Sequence, residues 1–286
     1  ATNDELPIPY VMNPDDPTAA KALRWRDDGS RYLAVGVGAA LSSNGKLTTP
    51  TSRRTVTFPT LPAAATKPKH TYAFTGDAAF ALRITRTTGA HDYVAMVDVR
   101  TGKKAGVLTL PRTSVHRVGG SNVYSLFADG QGLALCRQPL PSGRPSCQPV
   151  ATGDHRGTHP RLYQFGALSV IHDPLSLHPL LVEDGRVTPV VLPAGTTSWR
   201  GEGSGDPTRP LLRTVDAAGE PHHVRVADDG STAEWVTLPR IPQTPFSLAI
   251  TPTTVLGTWN GDRRTWVRAL ADDQLQPATW VPGAGV

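Results

Sequence analysis

The stretch HTYAFTGDAAFALRITRTTGAHDYVAMVDVRTGKKAGVLTLP, residues 70–111, divides into four short apolar runs separated by turn residues. The runs are His70–Gly76, Ala79–Thr85, Tyr93–Val99 and Gly106–Leu110, with the tight-turn signal Thr101-Gly102-Lys103 between the last two. Runs of that length flanking a glycine turn read as antiparallel hairpins, so the segment predicts one four-stranded sheet.

The same arrangement returns along the chain. A run ending at a proline recurs six times, at Thr60-Leu61-Pro62, Thr109-Leu110-Pro111, Cys147-Gln148-Pro149, Val191-Leu192-Pro193, Thr237-Leu238-Pro239 and Trp280-Val281-Pro282. The gaps between these prolines are 49, 38, 44, 46 and 43 residues, a mean of 44. Turn signals at the same phase are Ser142-Gly143-Arg144, Asp184-Gly185-Arg186 and Asp229-Gly230-Ser231. The fourth period reads Leu162–Phe165, Leu168–His172, Leu180–Glu183 and Thr188–Leu192, and the sixth reads Phe246–Ile250, Val255–Trp259, Thr265–Leu270 and Ala278–Val281. Four short strands in each repeat of about 40–45 residues form the blade of a β-propeller.

The expected fold is therefore all-β: one six-bladed propeller, with blades at roughly 24–62, 63–111, 112–150, 151–193, 194–239 and 240–282. Five or seven blades are the alternatives, because the first period is irregular; a β-sandwich array fits the even spacing less well. Residues 1–23 form a leader in which Leu6–Met12 is expected to complete the last blade and cover its edge. The lone helix candidate is Pro17–Arg26, too short to be stable by itself.

Composition agrees. Among 286 residues, 27 are Gly and 27 are Pro, which disfavours long helices and coiled coils. No apolar run approaches the roughly 20 residues that cross a bilayer, so membrane insertion is not expected. The two cysteines, Cys136 and Cys147, bracket a turn-rich insert and predict a disulfide across a hairpin. A disulfide and a first residue Ala1 both point to a secreted, oxidising location.

The phrase Val97-Asp98-Val99-Arg100-Thr101-Gly102-Lys103 resembles the third-to-fourth-strand turn of WD40-like and YVTN-type propellers. The chain as a whole is similar in style to propeller modules of secreted actinobacterial proteins, which implies a place in a larger secreted assembly. It has neither the Gly-His and Trp-Asp signature of WD40 repeats nor the Asp-rich calcium loop of FG-GAP repeats, so no ligand residue carries over.

In a propeller, the fourth-to-first and second-to-third connections share one face. That rule sends all nine histidines to a single face, in company with many arginines. His116, His155, His159 and His222, with Trp199, Arg200, Asp262 and Arg263, are the candidate ligand-binding residues. Imidazole, guanidinium and indole together suit sugar hydroxyls and acidic groups.

Catalytic readings are weaker. The expected innermost strands hold only Asp77 and Glu202 as carboxylates, against the set a sialidase-like glycosidase needs. Arg240-Ile241-Pro242 matches a sialidase tripeptide but lies in the last period. Ser204 in Gly201-Glu202-Gly203-Ser204-Gly205 is out of nucleophile-elbow register. His155 and His159 have a His-x-x-x-His spacing, but Gly157 and Pro160 oppose the helix that would align them on a metal. The net charge of +5 is spread along the chain without basic runs, which does not suit a nucleic-acid groove. The sequence thus predicts a secreted, non-enzymatic recognition module for surface glycans or a protein partner, with no cofactor and no metal. A propeller glycoside hydrolase and a pure assembly scaffold are the alternatives.

Overall fold

The computed structural model describes residues 10–13, 16–22, 32–36, 39–49, 52–63, 65, 67–113, 115–202, 210–235, 247–250, 254–258, 264–269 and 281–282. Among them every regular element is a β-strand, and the strands form six four-stranded antiparallel sheets and one two-stranded hairpin. The hairpin pairs β1 (Tyr10–Asn13) with β2 (Asp16–Ala22). Sheet 1 contains β3 (Tyr32–Gly36), β4 (Ala39–Ser42), β5 (Lys46–Thr48) and β6 (Arg53–Thr55); sheet 2 contains β7 (Lys69–Phe74), β8 (Phe80–Arg86), β9 (His91–Asp98) and β10 (Lys104–Pro111). Sheet 3 contains β11 (Val115–Gly119), β12 (Asn122–Ala128), β13 (Gly132–Pro139) and β14 (Ser146–Thr152); sheet 4 contains β15 (Arg161–Phe165), β16 (Leu168–His172), β17 (Leu180–Glu183) and β18 (Arg186–Pro189). Sheet 5 contains β19 (Thr196–Glu202), β20 (Leu211–Asp216), β21 (Pro221–Val226) and β22 (Ala233–Trp235); sheet 6 contains β23 (Ser247–Ile250), β24 (Thr254–Thr258), β25 (Arg264–Ala269) and β26 (Val281–Pro282).

In every sheet the strands lie in chain order, each paired with the one before it. The architecture is a β-propeller. The turns follow from sequence: Glu183 pairs with Arg186, so Asp184-Gly185 closes β17 to β18 in two residues, both at positive φ (44° and 84°). That conformation is open to glycine and tolerated by aspartate, which is why Asp-Gly marks such hairpins.

The core sits between sheets. Ala39, Leu41, Leu47 and Val56 of sheet 1 and its exit meet Phe74, Ala81, Val97 and Val99 of sheet 2 and its flanks. On the other side of sheet 2, Leu82, Ile84, Val94, Met96 and Leu110 meet Val123 and Leu140. Leu126, Leu133 and Leu135 of sheet 3 meet Leu162, Ile171, Leu180 and Val182 of sheet 4. Phe165, Val170 and Leu181 then face Trp199, Leu212, Val224 and Val226 of sheet 5. Adjacent residues such as Ala81 and Leu82, or Val170 and Ile171, serve opposite interfaces, because successive strand side chains point to opposite faces. A sheet covered on both faces needs apolar residues at successive positions, and the run Tyr93-Val94-Ala95-Met96-Val97 is buried throughout.

Backbone bonds tie neighbouring sheets as well. The Gly76 amide donates to the Gly120 carbonyl (2.8 Å), and the Val191 amide donates to the Ser231 carbonyl (2.8 Å). First strands lie side by side across sheets, β3 with β7 and β11 with β15, which makes them the inner layer. Cys136 and Cys147 are cross-strand partners in β13 and β14, with Cα atoms 4.0 Å apart, and form the expected disulfide.

Two expectations for the leader are corrected. Tyr10–Asn13 pairs with Asp16–Ala22 and not with sheet 6, whose fourth strand is its own β26. The helix expected over Pro17–Arg26 is extended as far as Ala22. A ten-residue helix gains little alone, and the local hairpin supplies partners for the same backbone groups.

Candidate functional site

Antiparallel pairing places the start of β7, the end of β8, the start of β9 and the end of β10 in one row: Lys69 opposes Arg86, Thr85 opposes Tyr93, and His91 opposes Pro111. The histidines of the described sheets all fall at this end. His70, His91, His116, His222 and His223 stand within the first three residues of a first or third strand, and His172 closes a second strand. His155, His159 and His178 lie in fourth-to-first and second-to-third connections. Lys103, Lys104 and Asp184 stand at the opposite end.

The imidazoles divide by burial. His116, 8% exposed, lies between the Asp92 carboxylate at Nε2 (2.8 Å) and the Ser125 hydroxyl at Nδ1 (2.8 Å). Burial pulls its pKa below the usual histidine value despite the pull of Asp92 in the other direction. A neutral ring facing a carboxylate at Nε2 carries its proton there, so Nε2–H donates to Asp92 and Nδ1 accepts from Ser125. His155, 1% exposed, lies between the Asp173 carboxylate (3.0 Å) and the Gly153 carbonyl (3.1 Å). His222 meets Asp216 at 2.9 Å and stacks edgewise on Trp235 at 5.0 Å between ring centroids. Burial, then Arg213, Arg200 and His222, lowers His223 to about 4.

The sequence-derived candidates thus have unlike surroundings. Trp199 is 6% exposed and packs on His172 and Tyr163, with ring centroids 5.2 and 5.8 Å away; its face is covered by sheet 4 and offers no open stacking platform. His116 and His155 spend their nitrogens on internal partners. Arg200, His159 and the half-buried His222 remain at the surface. Asp262 and Arg263 lie outside the described residues.

Sequence reading missed a cavity at the same end. About 410 Å³ of space at this end of sheet 2 is lined by Lys67, Lys69, Arg86, Thr87, Thr88, Arg112 and Thr113. Four of the seven are cations and none is an acid. Lys69 and Arg86 are direct cross-strand partners, a like-charge pairing that costs roughly 0.2–1 kcal/mol unless an anion offsets it. Asp92, 1% exposed, ties two of the lining segments together: its carboxylate accepts the amides of Thr87 (2.8 Å) and Thr113 (3.3 Å) as well as His116. Two of the cations, Arg86 and Arg112, belong to the face that sequence spacing gathers. Lys67 and Lys69 carry no local signal, since their place depends on the register of β7 against β8.

Arg156 meets Asp154 at this end through two-pronged contacts, the shortest 2.6 Å, but the side chains are 75% and 52% exposed. Asp92, Asp173, Asp216 and Asp154 thus each have an internal partner, whereas no acid lines the cavity.

No protein-family model matches the sequence, and comparison with curated proteins finds no match either. Solved structures do match. The uncomplexed Pyrococcus horikoshii acylaminoacyl peptidase aligns over 91% of this chain and 47% of its own, with TM-score 0.54 and 10% identity. One of two prolyl endopeptidases studied for inter-domain dynamics aligns over 88% of this chain and 42% of its own, with TM-score 0.54 and 11% identity. The β-propeller domain of the Trilobed protease from Pyrococcus furiosus, described as having an open velcro topology, aligns over 87% of this chain and 84% of its own, with TM-score 0.52 and 10% identity. This chain spans about half the length of the acylaminoacyl peptidase it resembles. At these identities the likeness is one of fold, and the fold is that of a β-propeller.

Proposed function

We propose that this chain is an extracytoplasmic, non-catalytic recognition module that binds acidic surface glycans through the histidine-bearing end of the propeller. The observation that carries the reading is the gathering of all nine imidazoles at one end, in company with exposed cations. Planar donors on His159 and His222, with Arg200 further along β19, suit hydroxyl and carboxylate groups, and the half-exposed Trp235 beside His222 offers an apolar sugar-sized surface. The Cys136–Cys147 disulfide supports an oxidising location. A non-catalytic role is supported by the first strands of the six sheets, which contain one carboxylate, Glu202, where glycoside hydrolysis uses a pair.

A glycan array probed with the purified chain tests this. Acidic glycans should bind above neutral ones, H159A/R200A should lose most of that signal, and K103A/K104A at the opposite end should retain it. Equal signal from neutral and acidic glycans, or full binding by folded H159A/R200A, overturns the reading.

A further inference from the structure

We infer that the cavity at the histidine-bearing end of sheet 2 is a binding site for a phosphate or sulfate ester, with Arg86 and Arg112 as its principal donors and Lys67 and Lys69 as supporting charges. The sugar part of the ligand rests on the recognition reading above; the oxyanion site stands on its own geometry. Four cations converge on one space of about 410 Å³, enough for a monosaccharide ester, and no acid among its lining residues neutralises them. Their convergence is built from three separate segments: Lys67 precedes β7 and Lys69 opens it, Arg86 ends β8, and Arg112 follows β10. A chance surface lysine cluster has no such framework. Here Asp92 takes the Thr87 and Thr113 amides and the His116 ring, so the two connections carrying Arg86 and Arg112 are fixed against each other by one buried carboxylate.

That carboxylate is not among the lining residues, and through its three donors it positions the two connections that are. The Lys69–Arg86 opposition and the left-handed Lys67 (φ 44°), which directly precedes Pro68, are both locally unfavourable. Such features cluster at ligand clamps. The three terminal oxygens of a phosphate or sulfate monoester can accept from several forked guanidinium donors at once, and the phosphate ester, doubly charged near neutral pH, gains more from the four cations than the singly charged sulfate ester.

Calorimetric titration of the full chain with inorganic phosphate, glucose 6-phosphate, glucose 6-sulfate and glucose tests the inference. Both sugar esters should bind and glucose should not, with affinity falling as NaCl is raised. R86A/R112A should weaken ester binding about a hundredfold, roughly tenfold for each charged donor removed. R86K/R112K, which keeps the charge but not the fork, should lie between, and K103A/K104A should match the wild type. Both arginines are exposed, so unchanged melting certifies the fold of the variants. Failure of all the anions to bind, or equal affinity in R86A/R112A, overturns the site; binding of free phosphate alone overturns the ester assignment. Ester binding lost in R86A/R112A together with a blank glycan array leaves the cavity site standing and removes the glycan reading. Acidic-glycan binding and ester binding that both survive R86A/R112A leave the glycan reading standing and remove the cavity site.

Discussion

Replacing Asp92 by alanine is the sharpest test of how the site is held. Its carboxylate is 1% exposed and accepts from the Thr87 amide at 2.8 Å, the Thr113 amide at 3.3 Å and His116 Nε2 at 2.8 Å, joining sheet 2 to sheet 3. Truncation leaves three donors without an acceptor, each worth about 1–3 kcal/mol if it stays dry. Water entering from the neighbouring cavity recovers part of this, so the net loss expected is about 3–5 kcal/mol, the range for breaking a buried pair. With about 2.1 cal/mol/K of unfolding entropy per residue over 286 residues, that lowers Tm by roughly 5–8 °C. Calorimetric melting of D92A, H116A and the double variant reads both the loss and the coupling. Asp154→Ala is the comparison: its contact with Arg156 is as short as 2.6 Å, but solvent screens it and its Tm should not move. A D92A shift no larger than that of D154A, or strict additivity with H116A, would show that the buried carboxylate does not join the sheets.

Four further outcomes follow from the structure. Trp199→Ala should cost about 3–5 kcal/mol in guanidinium unfolding, whereas Arg200→Ala should leave the midpoint in place, because only the indole is buried between sheets. Gly119→Ala should destabilise by about 1–3 kcal/mol on the same assay, since its Cβ would lie 2.1 Å from the Gly166 carbonyl oxygen of the next sheet. Cys136→Ser with Cys147→Ser should lower stability by about 3 kcal/mol, measured against the oxidised chain without reductant. His223 is held near 4 by burial and its arginine neighbours, below its unfolded value of 6.5. The unfolded chain therefore takes up the proton first, so stability is intact above about pH 6.5 and declines as pH falls towards 4; denaturation midpoints across that window should flatten in H223Q.

Strands were legible where the local pattern is complete. Leu168–His172 and Leu180–Glu183 coincide with β16 and β17, and the four runs of residues 70–111 match β7 to β10 within two residues at each end. Repetition did the work there, since turn glycines and strand-ending prolines act on the backbone of their own neighbourhood. The leader was misread for the same reason: Pro17–Arg26 has no repeat to lean on, and its partner, Tyr10–Asn13, is visible only once the chain folds back. Chain connectivity also sent the histidines to one end. It did not tell a buried ring from an exposed one, because that depends on the facing sheet. Trp199 reads as a platform in isolation and is covered once Tyr163 and His172 lie over it. The Lys69–Arg86 pairing spans 17 positions and depends on turn length, so no local signal announces it.

Among the described residues, each four-stranded sheet is completed by one continuous segment, and apart from the single bridge between Val191 and Thr232 none borrows a strand from its neighbour. Gene duplication or deletion of one such segment would add or remove a whole wedge without rethreading any other. Cohesion around the circle is then a matter of greasy seams more than of stitching, and lineages can vary circumference and rim chemistry almost independently.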